Sequence, residues 1–304
     1  MTITTTLHTE GYGAISFIVP AYNEAETIGK VITLLKENFA GSEIIVVDDG
    51  STDSTSAVAR SAGLSQVLRH DRNRGYGAAL KTGFLHAKGE FVVMVDADGQ
   101  YPVEEIRKVV DCLREQQDLD VILGERVNRY DSGIVRSAGK MLIARIVRML
   151  INEPVRDHNC GLRAFRREKI LPFLFLLPEG FSFSTTSFIL AYKENFRIAR
   201  LEVSVDRRTS GKSQVTMKSG LDTIVLVLRL MVIFDPLKFF LPVAGYSFLL
   251  GVLSIVISLI DSRTLGKNYI FFFLLGTLIF ILGLLSEQIM TLRKEIGNMK
   301  SGRR

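Results

Sequence analysis

Tryptophan is absent from this chain, and cysteine occurs twice, at Cys112 and Cys160. The two thiols show no metal-ligand spacing and fit a reducing compartment. No apolar stretch at the N-terminus reads as a secretory signal. Internal repeats and low-complexity tracts are missing. Lys and Arg (38) outnumber Asp and Glu (32), for a net charge of +6. Such a surplus can mean nucleic acid, but there is no aromatic-basic interleaving and no helix-turn-helix pattern, so no nucleic-acid partner is expected. The surplus suits a protein held against anionic headgroups.

Charge is also missing from two long stretches near the C-terminus. Phe239 to Ile260 is 22 residues without a charge. As a helix it would be about 33 Å long, enough for a bilayer core. Ile270 to Ser286 is a second run, of 17 residues, near the lower limit for a span. Buried core helices are the soluble alternative, but two uncharged runs back to back would overfill a soluble core. Two spans are expected, at about 239–260 and 269–289, joined by the polar link Asp261 to Tyr269. Both flanks then lie on one side. The tail from Arg293 to Arg304 carries five basic residues against Glu295 alone. The positive-inside rule places that tail, and hence the large N-terminal part, in the cytoplasm.

Ahead of the spans, strand-like and helix-like segments alternate after a polar, loose first ten residues. Strands are expected at Ala14–Val19, Glu43–Val47, Gln66–Leu68, Phe91–Val95 and Asp120–Leu123. Helices are expected at Glu24–Phe39, Asp53–Ala62, Tyr76–Ala87 and Val103–Arg114. This alternation predicts an α/β fold, a mostly parallel sheet with helices on both faces. Further on, Ile134–Asn152 and Thr185–Phe196 read as helices and Ala199–Val205 as a strand. The apolar, proline-containing Ile170–Phe183 suits an interfacial segment, and Lys218–Phe234 reads as a helix on the membrane surface.

Ligands in such folds sit beyond the carboxyl ends of the strands. Three polar clusters fall there: Pro20-Ala21-Tyr22-Asn23-Glu24, Asp48-Asp49-Gly50-Ser51 and Asp96-Ala97-Asp98. The last is the most informative. Two carboxylates one residue apart, with Gln100 two further on, can turn oxygens toward one hard cation. Mg2+ and Mn2+ prefer such ligands and are often held by one or two carboxylates plus substrate phosphates. An isolated Asp-x-Asp is more commonly a solvated acidic turn; the surrounding clusters decide for a bound nucleotide diphosphate. Asp49 can accept from a ribose hydroxyl or a base N–H, whereas Asp53 reads as a helix cap. Tyr22 can stack on a base, and Glu24 can equally favour a helix start. Arg72-Asn73-Arg74-Gly75-Tyr76-Gly77 opens a helix, where glycines and free N–H groups suit a phosphate, although the spacing is not that of a Walker loop.

Taken together, these pieces resemble a family-two glycosyltransferase of the GT-A fold. The likeness is to the polyprenyl-phosphate hexosyltransferases typified by dolichol-phosphate mannose synthase. It rests on Val19 to Glu24, Val47 to Ser51, Asn73 to Gly77 and Asp96 to Gln100 with Pro102. Further on come Gly124-Glu125-Arg126, Asp157-His158-Asn159-Cys160-Gly161-Leu162-Arg163 and Arg208-Thr209-Ser210-Gly211-Lys212-Ser213. The resemblance implies that Pro20, Ala21, Tyr22, Glu24, Val47, Asp49, Asp96 and Arg208 line the nucleotide sugar. It implies Mg2+ or Mn2+ on Asp96, Asp98 and Gln100, and a lipid phosphate gripped by Arg126, Arg136 and Lys140. Asp98, Asp157 and Arg208 are then the catalytic candidates, with Asp157 orienting the acceptor, aiding proton transfer, or pairing with Arg156 or Arg163. The family's Gly-Glu-Ser-Lys loop is replaced by Gly211-Lys212-Ser213-Gln214, which leaves open the side chain that meets the diphosphate.

The implied organisation is a cytoplasmic GT-A domain over 1–213, an amphipathic juxtamembrane helix over 214–236 and a membrane anchor over 237–304. The implied reaction moves one hexose from a nucleotide sugar, with inversion, to a polyprenyl phosphate. GDP-mannose, UDP-glucose and UDP-N-acetylglucosamine all fit as donors, and dolichyl or undecaprenyl phosphate as acceptor. The partners are thus a nucleotide sugar, a lipid and the membrane, and two short spans are compatible with a small homo-oligomer. A processive polysaccharide synthase shares the GT-A start, but its Gln-x-x-Arg-Trp motif needs the tryptophan that is missing. A non-catalytic, membrane-anchored nucleotide-sugar module is disfavoured by the intact carboxylate triplet.

Overall fold

The computed structural model describes residues 12–64, 67–116, 118–127, 134–180, 182–206, 220–260 and 268–301. Two compact units divide the chain, Met1–Lys218 and Ser219–Arg304.

The first unit is built on a seven-stranded sheet. Along the chain run β1 (Ile15–Ala21), α1 (Ile28–Asn38), β2 (Glu43–Asp48), α2 (Thr55–Ser61), β3 (Val67–Arg69), α3 (Tyr76–His86), β4 (Phe91–Met94), α4 (Val103–Glu115) and β5 (Val121–Arg126). Then come α5 (Ile134–Ile151), β6 (Arg163–Arg166), the single turn α6 (Arg167–Ile170), α7 (Phe183–Lys193) and β7 (Ile198–Val203). The sheet order is β3-β2-β1-β4-β6-β5-β7. Strands β1 and β4 are buried along their whole length, because helices cover both faces of a parallel sheet and leave no solvated side to alternate with. Pro20 is tolerated in β1 because pairing with β4 ends at Ile18↔Met94, so no ladder bond needs its missing N–H.

Only β6 runs against its neighbours, antiparallel to β4 and to β5, while β5 and β7 are parallel. The expected strands did not include it. Arg163-Ala164-Phe165-Arg166 has two charged ends and no apolar run, so neither periodicity nor composition marks it as a strand in the middle of a sheet. Its reversed direction has a functional consequence. The start of β6 lies where β4 and β5 end, with Arg163 paired to Met94 on one side and Leu123 on the other. The segment 157–162 therefore arrives at the same edge as Asp96 and Arg126.

Helix α1 starts at Ile28, later than the expected Glu24. Asn23 has φ of 55°, a left-handed conformation that cannot open a helix. The N–H groups of Asn23, Glu24 and Ala25 are taken by Ser51, Thr55 and Asp53, which laces the end of β1 to the end of β2. The Ile170–Phe183 stretch contributes to the interior of this unit: Ile170, Leu174, Leu177 and Phe183 are buried, whereas Phe175 is 52% exposed.

The second unit comprises α8 (Gly220–Phe234), α9 (Pro236–Ile260) and α10 (Asn268–Ser301). Two stretches, Pro236–Ile260 and Asn268–Leu292, are long and apolar enough to cross a membrane, with mean hydropathy 2.3 and 2.4. They bury only 17% and 11% of those windows against protein. Large side chains such as Leu249, Leu259, Ile260 and Leu274 are exposed. Glycines form the seam of the hairpin. Phe273 packs on Gly251, Phe248 on Gly276 and Phe240 on Gly283, and Ser247 Oγ donates to Phe272 O at 2.9 Å. Small residues let the two helix backbones approach closely.

Candidate active site

Parallel pairing puts the ends of β2, β1 and β4 side by side, so the three polar clusters share one edge. Pro20 and Ala21 lie opposite Val47 and Asp48. All four are buried, while Tyr22 and Glu24 are half-buried just beyond the strand. Asp48 is fully buried and structural: it accepts from Ser51 N at 2.8 Å and from Ser56 Oγ. Asp53 accepts from Thr55 N at 3.0 Å and from Ala25 N at 3.2 Å. Burial pushes its carboxyl up, but the bonds from Thr55 and Ala25 outweigh it and hold the group below the usual range. Asp53 thus fixes the turn into α2, as the sequence suggested.

The Arg72–Gly77 turn differs from the phosphate cradle its glycines suggested. The N–H groups of Arg74 and Gly75 are taken by Asp49, at 3.0 and 2.7 Å, and that of Ala78 by Glu179 O at 2.9 Å. Its glycines serve a backbone-to-backbone approach. A Cβ on Gly77 would sit 2.2 Å from Pro178 O, and one on Gly75 2.6 Å from Glu179 O.

At the end of β4, Asp96 and Asp98 are half-buried on either side of buried Ala97. Tyr76 Oη donates to Asp96 Oδ1 at 2.9 Å. Burial first, then the Asp96 charge, push that phenol well above its ordinary value, so Tyr76 stays a neutral donor. Gln100 N donates to Asp98 Oδ1 at 3.2 Å. Gln100 Nε2 donates to Asp206 O at 2.9 Å, so its Oε1 is the atom it can offer to a cation. Among the described residues no group of three or more His, Cys, Asp or Glu forms a cage. Two carboxylates and an amide oxygen fit Mg2+ or Mn2+ completed by phosphate oxygens and water.

The 157–162 segment is knitted onto this triplet. Tyr101 Oη accepts from Gly161 N and Leu162 N at 3.0 and 3.1 Å, and Gly161 lies against Asp96, where a Cβ would come within 2.1 Å of Oδ2. Successive strand residues point to opposite faces. Glu125 therefore ties β5 to Arg200 on β7, at 2.7 Å, while Arg126 turns the other way to Asp157. Arg126 Nε and Nη2 meet Asp157 Oδ2 and Oδ1 at 2.6 and 3.2 Å, a two-pronged pair with Asp157 3% exposed. Burial opposes the Arg126 charge, but Asp157 outweighs it and raises its pKa. Asp157 thus has Arg126 as a two-pronged partner, beside the alternatives Arg156 and Arg163. Arg156 goes to Glu202 at 2.5 Å. Arg163, fully buried, donates to the carbonyls of His158, Cys160 and Ser184, and burial lowers its pKa.

Arg136 and Lys140 fall on α5, but their side chains, and the whole of Arg208, lie outside the described residues. The supporting residues Tyr76, Tyr101 and Gly161 were not singled out from the sequence. Tyr76 and Gly161 sit inside quoted motifs and Tyr101 directly after one, but the partner of each lies at least 20 positions away.

The fold is that of a GT-A glycosyltransferase. The chain belongs to glycosyl transferase family 2, whose model matches residues 16–171. The GtrB C-terminal hairpin matches residues 235–292. Among curated relatives, the undecaprenyl-phosphate 4-deoxy-4-formamido-L-arabinose transferase of Proteus mirabilis is 31% identical, over 92% of this chain and 89% of its own length. That of Sodalis glossinidius is 38% identical, but the match spans only 50% of its length and 51% of this chain. The dolichyl-phosphate beta-glucosyltransferase of Dictyostelium discoideum is 32% identical, over 62% of this chain and 65% of its own. Glucosyl-3-phosphoglycerate synthase from Mycobacterium tuberculosis, solved with Mn2+, UDP and phosphoglyceric acid, shares the fold. Its TM-score is 0.57 at 20% identity, over 71% of this chain and 77% of that one.

Proposed function

We propose that this protein transfers a single hexose from a nucleotide diphosphate sugar to a polyprenyl phosphate, with inversion, at the cytoplasmic face of the membrane. The observation that carries this reading is the contact between the two halves of the site. The Asp96–Asp98 triplet and the Asp157–Arg126 pair share one sheet edge, joined through Gly161 and Tyr101. The membrane-span hairpin and the relatives named for polyprenyl-phosphate acceptors support a lipid acceptor.

A phosphate monoester is already anionic at neutral pH, since its second pKa is about 6. It therefore needs little help from a general base. The protein's task is to hold acceptor and donor phosphates in line and to offset the leaving charge. Arg126 is suited to the acceptor phosphate because Asp157 and Asn159 hold its Nε and Nη2 and so aim Nη1, with its two N–H donors, outward to phosphate oxygens. Arg136 and Lys140 add positive charge on α5, and Arg208 is assigned to the donor. Pro20, Ala21, Tyr22, Glu24, Val47 and Asp49 form the wall for the nucleotide. A Mg2+ or Mn2+ ion on Asp96, Asp98 and Gln100 would act as a Lewis acid on the diphosphate. The proposed division of labour follows the domains: catalysis in 1–213, the membrane surface at 214–236, anchoring in 237–304.

Purified protein with Mn2+, a panel of labelled UDP- and GDP-sugars and a short polyprenyl phosphate is expected to yield a glycolipid, identified by mass. No product from any donor would sink the proposal. Tyr76→Phe removes one donor from Asp96 and is expected to raise the half-saturating Mn2+ concentration about tenfold. An unchanged metal requirement would reduce Tyr76 to a space-filling role.

A further inference from the structure

His70 is a buried imidazole that none of the motifs above uses. It follows β3 and is 8% exposed. Its Nδ1 lies 2.6 Å from Asp49 Oδ1 and its Nε2 2.9 Å from Thr82 Oγ1 on α3. An ionised carboxylate can only accept, so Nδ1 carries a proton toward Asp49, and the Thr82 hydroxyl, which can donate or accept, meets Nε2. Asp49 itself is 3% exposed and also accepts from Arg74 N and Gly75 N. A carboxylate offers about four acceptor positions. His70, Arg74 and Gly75 occupy three of them, leaving one for a ligand N–H or O–H.

The direction of that last acceptor is set by the three donors. Two of them are backbone groups that belong to the turn before α3. The third is a side chain held at its far end by α3 itself. Through Thr82, His70 makes the orientation of Asp49 depend on a regular helix rather than on a loop alone.

We propose that His70 is a positioning residue, whose imidazole, braced by Thr82, aims the remaining acceptor of Asp49 at the donor nucleotide. This rests on the nucleotide-sugar reading above. The two ring nitrogens separate the roles. Asn places an amide nitrogen near the position of Nδ1 and keeps the donor to Asp49. Gln places one near Nε2 and keeps only the reach to Thr82.

The test is calorimetric titration of the full chain in nanodiscs, with Mn2+, using UDP and GDP as probes. His70→Asn is expected to bind within about threefold of the parent, whereas His70→Gln and His70→Leu lose about tenfold in nucleotide affinity. In turnover the loss falls on the KM for the donor with kcat unchanged. Equal affinities for the Asn and Gln variants, or no loss in any variant, overturn the proposal, because a space-filling imidazole would not distinguish its two ends. If the parent binds neither nucleotide, the nucleotide-sugar reading falls and this one with it. Thermal melting checks each variant. Should His70→Gln not fold, His70→Met, which offers no donor, takes its place against His70→Asn.

Discussion

Asp98→Ala is expected to lower transfer by about 10^3-fold, or about 4 kcal/mol of transition-state stabilisation, while leaving the melting temperature nearly unchanged. The large effect follows from the charge that the leaving diphosphate gains as the glycosidic bond breaks. A site that offsets this charge contributes more in the transition state than in the ground state, which is the condition for acceleration. Asp98 is one of only two carboxylates in the triplet, and no third Asp, Glu, His or Cys stands by to replace it among the described residues. The small effect on folding follows from its place. Asp98 is half-buried, outside β4, and its neighbour Ala97 fills the core position. Asp98→Asn separates charge from shape, because an amide oxygen still accepts from Gln100 N but carries no formal charge. It is expected to fall nearly as far as the alanine variant. Kinetics over a Mn2+ series and a thermal melt check both. Unchanged turnover in either variant would remove the metal assignment.

The strand-end logic that singles out Asp98 was legible before any coordinates. Five of the strands and the helices between them follow from apolar runs and their spacing. Their parallel order then forces Pro20–Glu24, Asp48–Ser51 and Asp96–Asp98 onto one edge. The second half of the site was not legible in this way. Its position depends on β6, whose Arg163 is fully buried yet reads as a surface residue in sequence. A buried guanidinium is stable only when its donors are satisfied, and here they are satisfied by carbonyls at 158, 160 and 184. No local pattern encodes that set. The same holds for Asp157: its pairing with Arg126, 31 positions away, depends on the face of β5 that Arg126 takes. The Arg72–Gly77 turn was only partly legible, for a different reason. Glycines before a helix announce a close approach but not what approaches, and here it is the 178–180 backbone.

Gly161→Ala carries the second large expectation, and it tests the junction between donor and acceptor halves directly. The added methyl would lie 2.1 Å from Asp96 Oδ2 and 2.8 Å from Cγ, far inside van der Waals contact. Two responses are open. The loop can retreat, which breaks the bonds from Gly161 N and Leu162 N to Tyr101 Oη. Otherwise Asp96 can swing aside, which breaks its bond from Tyr76 Oη. Overpacking of this kind costs about 1–3 kcal/mol of stability. The catalytic cost is larger in proportion, since a displacement of about 1 Å at a reacting group can cost about 10^2-fold in rate. The expected result is therefore a modest drop in melting temperature with about 10^2-fold slower transfer. Non-additivity identifies the cause. In Asp96→Ala the obstructing carboxylate is gone, so adding Gly161→Ala to it should cost little further stability, although contacting residues otherwise couple by about 0.5–3 kcal/mol. Melting curves of the two single variants and the double variant close the cycle. If Gly161→Ala destabilises Asp96→Ala as much as the parent, the contact with Asp96 is not what this glycine is for, and the coupling of the two halves through it is wrong.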